Sequence, residues 1–186
     1  MPSVLMPLAE GFEELEAVTI IDILRRAGIR VVVAGLKDGP IKGSRDTQVL
    51  PDATLDAVMD QDFDMIALPG GMPGVKHLHE DARVKRLLER YTQQDRFTAA
   101  ICAAPSILAD YGYLAGKQAT SNPKFKNQVA IDGVQYLEHS VVSDGNIVTS
   151  RGPGTSIPFA LALVEKLAGR EKRVEVESGL VLTHIE

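Results

Sequence analysis

Short apolar runs that alternate with amphipathic helical patterns constrain the fold of this chain more than any other feature. An apolar run at residues 4–8 is followed by a helical pattern from Phe12 to Ala27 and by a β-branched run at residues 31–34. This order is typical of a βαβ unit, in which a helix joins two parallel strands. Further strands are predicted at residues 65–68, 98–101 and 147–150, and further helices at residues 82–96, 155–167 and 171–178. The sequence therefore predicts an α/β fold, with a doubly wound, mostly parallel sheet and helices on both of its faces.

The length and the charge of the chain exclude several classes of protein. Its 186 residues suffice for one α/β domain, and we expect residues 1–186 to form one, with a small antiparallel excursion between residues 35 and 51. Lys and Arg number 20 against 25 Asp and Glu, and this net charge of −5 argues against nucleic acid as the main partner. The longest uncharged stretches, residues 97–109 and 152–164, are too short to cross a membrane, and the early charges are acidic. We expect a cytoplasmic protein with no membrane partner.

The single cysteine, Cys102, lies where the predicted strand at residues 98–101 gives way to a helix. One cysteine cannot form an intrachain disulfide or a multi-thiolate metal site. In doubly wound sheets, ligands bind beyond the carboxyl ends of the strands, where the next helices begin. A thiol there faces the positive end of a helix dipole, which favours the nucleophilic thiolate. A small buried hydrophobic residue is the alternative interpretation, and the sequence leaves both open.

A carboxylate in an apolar stripe is the second candidate for chemistry. On the predicted helix from Phe12 to Ala27, Glu16 shares a stripe with Ile20 and Ile23. Burial beside a thiol would raise the pKa of Glu16, so that it could donate a hydrogen bond to the thiolate or act as general acid and base. The alternative is an exposed first-turn acid that complements the helix dipole.

The same helix carries a second apolar face. Leu15, Val18 and Ile21 lie on the side opposite to the Glu16 stripe. A helix that is apolar on two sides is expected to pack against its own sheet and against another surface. We therefore predict a homodimer through the helix from Phe12 to Ala27.

A glycine-rich segment, residues 68–74, follows the predicted strand at residues 65–68. Its Gly70 and Gly71 allow a close backbone approach and free N–H groups for an oxyanion hole, although a plain tight turn explains them equally well. Neither a dinucleotide fingerprint nor a Walker motif is present. His77, His79, His139 and His184 show no metal-ligand spacing, and His77 and His79 are expected in a solvated loop. We predict no cofactor and no metal site.

Four segments in order resemble the ThiJ/PfpI superfamily over nearly the whole chain, most closely its branch of the parkinsonism-associated deglycase and the bacterial YajL proteins. They cover residues 10–18, 68–71, 99–105 and 149–155. The resemblance implies a flavodoxin-like fold, a homodimer and a reactive cysteine. By position, it makes Cys102 an oxidation-sensitive nucleophile and Glu16 its protonated partner. It makes Gly70, Gly71 and Ala103 backbone donors around the sulfur, and we expect Asn122, Arg151 and Pro153 to line the site.

Two positions depart from the superfamily pattern. Its protease-like branch has a histidine directly after the nucleophile, where this chain has Ala103, so that a Cys-His peptidase lacks its base. The parkinsonism-associated member has a histidine in the loop that corresponds to residues 121–123, where this chain has Asn122. A mechanism that uses either histidine is therefore not available here.

The resemblance implies a cysteine-dependent glyoxalase III or protein deglycase. Its substrates would be methylglyoxal, glyoxal or their early glycation adducts on proteins, and Cys102 would attack the aldehyde to give a hemithioacetal. One alternative is a redox-responsive oxidative-stress protein or chaperone, in which Cys102 is oxidised to a sulfinate. Another is a binding module whose thiol is inert.

Overall fold

Alternating strands and helices build the fold over residues 1–182, which are the residues that the computed structural model describes. The strands are β1 (Ser3–Leu8), β2 (Arg30–Gly35), β3 (Ile41–Lys42), β4 (Gln48–Val49), β5 (Ala53–Thr54), β6 (Met65–Leu68), β7 (Phe97–Ile101), β8 (Gln118–Ala119), β9 (Gln135–Tyr136), β10 (Val141–Asp144) and β11 (Ile147–Ser150). The helices are α1 (Glu14–Arg26), α2 (Leu55–Val58), α3 (Gly74–Glu80), α4 (Ala82–Gln93), α5 (Pro105–Asp110), α6 (Lys126–Val129) and α7 (Ser156–Gly179).

Seven strands form the main sheet, in the order β10-β11-β7-β6-β1-β2-β5. All neighbouring pairs are parallel except β10 and β11, which form an antiparallel edge. The carboxyl ends of β1, β6, β7 and β11 therefore lie along one edge of the sheet. The segments that carry Glu16, Gly70, Cys102 and Gly152 leave the sheet at this edge.

Two apolar cores cover the two faces of the sheet, because side chains alternate along each strand. Val4 and Met6 of β1 pack with α1 and α7, whereas Leu5 packs with α4 and α5 on the other face. Helices therefore lie on both faces of a mostly parallel sheet, as the sequence predicts. The turn-rich excursion is confirmed as the antiparallel pair of β3 and β4.

The helices predicted at residues 155–167 and 171–178 are confirmed, because the non-helical Gly169 divides α7 into two helical segments. Two other features differ from the sequence prediction. His77 and His79 lie on α3 and not in a loop. Strand β10 was not predicted, because its four residues include Ser143 and Asp144 and lack a continuous apolar run.

Candidate active site

Cys102 lies in a sharp turn between β7 and α5. Its φ of 65° falls in the left-handed region, which non-glycine residues adopt at a cost of about 1–3 kcal/mol and most often at functional sites. Two backbone hydrogen bonds hold the turn. The Cys102 N–H donates to the Ser150 carbonyl at 3.0 Å, and the Asn122 N–H donates to the Cys102 carbonyl at 2.9 Å. The side chain is half-buried at the carboxyl edge of the sheet.

Glu16 is a fully buried carboxyl group in the first turn of α1. Its Oε2 accepts a hydrogen bond of 2.8 Å from the Gly70 N–H, while Oε1 has no hydrogen-bond partner among residues 1–182. Burial raises the pKa of Glu16 to about 7, although contacts with the Cys102 thiol and the Gly70 N–H act in the opposite direction. A carboxyl group with this pKa can both take up and release a proton near neutral pH.

Gly70 lies between these two side chains and allows them to approach. A Cβ atom on Gly70 would lie 2.5 Å from Glu16 Oε2 and 2.6 Å from Cys102 Cβ, both well inside van der Waals contact. The Gly70 N–H already donates to Glu16, so Gly70 positions the carboxyl group. The sequence suggested instead that this N–H is a free donor for a substrate oxygen.

Gly71 is the next residue along the same turn. Its φ is 97°, and a Cβ atom there would lie 2.3 Å from the Glu13 backbone nitrogen, so a side chain would displace the start of α1. Its N–H has no acceptor within the part of the chain that the structure describes. Gly71 is thus a donor that a bound oxygen atom could engage.

Burial and the Glu16 carboxylate oppose ionisation of the Cys102 thiol. Together they raise the pKa of Cys102 to about 12, against the smaller lowering by the Ala103 N–H and the Asn122 amide. Stabilisation of the thiolate by the dipole of the following helix stays a prediction, since α5 has only six residues and burial of the thiol acts against ionisation. Because each group shifts the pKa of the other, Glu16 and Cys102 are expected to titrate as a coupled pair.

Of the three expected lining residues, Asn122 is the one that the structure places against Cys102. The Asn122 Nδ2 atom lies 3.7 Å from the Cys102 sulfur. Arg151 follows β11, and its guanidinium donates to the Glu138 carbonyl at 3.2 Å. Pro153 is exposed and begins a 3-10 turn before α7.

Gly152 is a site residue that sequence reasoning missed. A Cβ atom there would lie 3.3 Å from Asn122 Nδ2 and 4.0 Å from the Cys102 sulfur. The signal in the sequence was its position directly after the strand-end residue Arg151, where a small residue leaves room above the thiol.

Other features of the structure lie apart from this site. A cavity of about 420 Å³ between α2 and α4 is lined by Met59 and Arg90 and contains none of the residues above. No three His, Cys, Asp or Glu side chains within residues 1–182 are grouped to hold a metal ion. His77 and His79 contact the Glu10 carbonyl and Asp110, and His184 lies outside the described residues. Within the described part of the chain, we find no helix with the length and apolar character needed to cross a membrane.

Comparison with known proteins agrees with this fold. The sequence profile of the DJ-1/PfpI family matches residues 2–166. The chain belongs to this family. Protein dj-1beta of Drosophila melanogaster is 46% identical over 184 residues, which cover 98% of each chain. The crystal structure of Drosophila melanogaster DJ-1beta superposes with a TM-score of 0.94 and covers 98% of this chain and 99% of that one.

Two further DJ-1/PfpI proteins extend the comparison. A structure of oxidized Toxoplasma gondii DJ-1 is 38% identical, with a TM-score of 0.94 and coverage of 99% of this chain and all (100%) of that one. Glutathione-independent glyoxalase DJR-1.2 of Caenorhabditis elegans is 36% identical over 169 residues, which cover 91% of this chain and 89% of the relative. The predicted family and its flavodoxin-like fold are confirmed.

Proposed function

We propose that this DJ-1/PfpI protein is a cysteine-dependent glyoxalase or deglycase that acts on methylglyoxal, glyoxal or their early glycation adducts. The contact of Glu16 with Gly70, beside Cys102, carries this proposal. It places a carboxyl group whose pKa is about 7 next to the chain's only thiol. The name of the Caenorhabditis elegans relative, a glutathione-independent glyoxalase, supports the same class of reaction.

The first step joins the Cys102 sulfur to the aldehyde carbon. The Glu16 carboxylate takes the thiol proton, the sulfur supplies the electron pair of the new bond, and the carbonyl π electrons move to oxygen. We assign the stabilisation of this oxygen to the N–H groups of Gly71 and Ala103. Glu16 then returns the proton to the oxygen, which gives a neutral hemithioacetal.

The second step transfers a proton between the two carbons of the former dicarbonyl. Glu16 removes it from C1 while the C2 carbonyl oxygen takes up a proton, which gives an enediol. Glu16 then returns its proton to C2 and the C1 hydroxyl releases one, which leaves a thioester of a 2-hydroxy acid. Water then cleaves the thioester, releases lactate when the substrate is methylglyoxal, and restores the thiol. Because C1 is oxidised as C2 is reduced, no external oxidant or reductant is needed.

Loss of the thiol is the direct test of this activity. Cys102→Ala is expected to reduce methylglyoxal consumption to the rate of buffer alone, with lactate formation lost in parallel. Glu16→Gln is expected to slow turnover by about 10²–10⁴-fold, the usual contribution of a general acid–base group. Glu89→Gln, the same change on the exposed face of α4, serves as the matched control. Turnover at the wild-type rate by Cys102→Ala would overturn the proposal.

Exposed apolar side chains on α1 support a homodimer as the working form. Leu15 is 63% and Val18 46% exposed, although both are large apolar residues on a helix whose opposite side is buried. We assign the dimer contact to this face of α1.

A redox role is the second candidate for the same residues. The Toxoplasma gondii relative was solved in an oxidized form. In this chain, Glu16 and the donors at Ala103 and Asn122 could hold the oxygens of a Cys102 sulfinate. Mass spectrometry after mild peroxide treatment tests this role, which requires two added oxygens on Cys102.

A further inference from the structure

The Asn122 side chain is held in a single orientation by its own loop. Its Oδ1 atom accepts a hydrogen bond of 3.0 Å from the Lys124 N–H, and a backbone N–H can only donate. The opposite end of the amide must therefore be the NH₂ group, which fixes the assignment of oxygen and nitrogen. That end points at Cys102, with Nδ2 3.7 Å from the sulfur.

The backbone of Asn122 is tied to the same residue that its side chain contacts. The Asn122 N–H donates to the Cys102 carbonyl at 2.9 Å, so the loop and the left-handed turn at Cys102 form one unit. Gly152 leaves the space that the amide occupies, since a Cβ atom there would lie 3.3 Å from Nδ2. Together, Lys124, the Cys102 carbonyl and Gly152 hold a hydrogen-bond donor against the reacting sulfur.

An amide donor at this position has a definite chemical consequence. It stabilises negative charge on sulfur, and it cannot accept the thiol proton because its NH₂ end has no basic lone pair. The Glu16 carboxylate has the reverse property, since it accepts the proton and repels a thiolate. Glu16 can therefore take the thiol proton, while Asn122 stabilises the negative charge on the sulfur.

We propose that Asn122 is a catalytic residue whose Nδ2–H donates to the Cys102 sulfur as negative charge develops there, with Glu16 as the acceptor of the thiol proton. This role rests on the proposed function for its place in turnover. It concerns the sulfur itself, however, and applies to any electrophile that the thiol attacks. During attack, the proton passes from sulfur to Glu16, the sulfur lone pair forms the new bond, and Asn122 exchanges no proton.

Alkylation by iodoacetamide, an electrophile unrelated to the proposed substrates, tests the role of Asn122. Asn122→Asp keeps an oxygen for the Lys124 N–H and replaces the donor with a negative oxygen beside the sulfur. We expect its second-order alkylation rate at pH 7.5 to fall by about 10-fold or more, the range for a lost hydrogen bond to a charged group. Asn127→Asp, the same change at an exposed position on α6, is expected to stay within about twofold of wild type.

A second variant keeps the role of Asn122 testable if Asn122→Asp does not fold. Asn122→Ala removes the donor without adding charge and is expected to slow alkylation by about 3- to 10-fold, with Asn127→Ala as its control. In both Asn122 variants kcat for methylglyoxal should fall while KM changes little, because the contact strengthens only as charge develops. Wild-type alkylation rates in folded Asn122→Asp or Asn122→Ala would overturn the proposal.

The outcomes separate this inference from the proposed function. If wild-type protein does not convert methylglyoxal but Asn122→Ala still slows alkylation, the proposed function fails and the role of Asn122 at the sulfur stands. If wild-type protein converts methylglyoxal and the Asn122 variants alkylate and turn over like it, the function stands and the inference fails.

Discussion

The Glu16 carboxyl group and the Cys102 side chain meet at Gly70, whose N–H donates to Glu16 Oε2 at 2.8 Å and whose Cα faces Cys102 Cβ. Three elements that are distant in sequence, α1 and the turns after β6 and β7, converge there because their parallel strands end at one edge of the sheet. The chemistry that we propose for this DJ-1/PfpI protein depends on that convergence.

Substitution of Gly70 by alanine should separate the two acids. The new methyl group would overlap Glu16 Oε2 and Cys102 Cβ, so one of these buried groups must move. We expect Gly70→Ala to lose about 1–3 kcal/mol of unfolding free energy in urea denaturation, together with most of its turnover. Gly154→Ala is the matched control, since a Cβ atom at Gly154 has no neighbour within 4 Å. Equal stability of the two variants would show that Gly70 is not sterically constrained.

The stability of the protein should depend on pH through Glu16. Its pKa is raised from 4.5 to about 7 in the folded state, so the folded protein retains a proton that the unfolded chain releases between these values. The stability that this proton provides is complete below pH 4.5 and is lost as the pH rises to about 7. The 2.5-unit difference corresponds to about 3 kcal/mol.

Glu16→Gln isolates this contribution. The variant has no proton to lose, so its unfolding free energy minus that of wild type should increase by about 3 kcal/mol between pH 4.5 and pH 8. Urea denaturation at the two pH values, at one protein concentration, measures this difference. A difference that stays constant, or that shrinks as the pH rises, would contradict a raised pKa for Glu16.

Charge placed on the exposed face of α1 should dissociate the proposed dimer. Val18→Asp puts a carboxylate on the apolar face that we assign to the contact, and a two-fold partner would bring a second, identical charge into the same interface. Light scattering at micromolar concentration should give twice the chain mass of 20.1 kDa for wild type and a single chain mass for the variant. Ile131→Asp, at an exposed apolar residue outside α1, should remain dimeric. A wild-type protein of one chain mass would contradict the dimer.

The sequence predicted the sheet well because its central strands are short, apolar and punctuated by glycine or proline. It failed where local patterns are ambiguous. The polar residues of β10 concealed a strand, and the polar stretch that carries His77 and His79 concealed the helix α3. These elements are determined by contacts with the rest of the fold, which periodicity alone does not contain.

The sequence predicted which residues form the candidate site better than it predicted their pKa values and hydrogen bonds. Cys102 and Glu16 could be proposed from strand-end position and from the apolar stripe. The high pKa of the Cys102 thiol could not be predicted in this way, because it results from burial and from the charge of Glu16, which is distant in sequence. The engagement of the Gly70 N–H by Glu16 likewise depends on how α1 docks against the turn after β6.

The pH dependence of Cys102 alkylation tests the central claim most directly, namely that Glu16 and Cys102 act as one acid pair. The second-order rate constant with iodoacetamide should rise with pH around an apparent pKa of about 7 in wild-type protein, as the pair loses the first of its two protons. In Glu16→Gln this rise near pH 7 should disappear, whereas Glu89→Gln should retain it. A rise near pH 7 that persists unchanged in Glu16→Gln would contradict the account, because the titrating group would then not be Glu16.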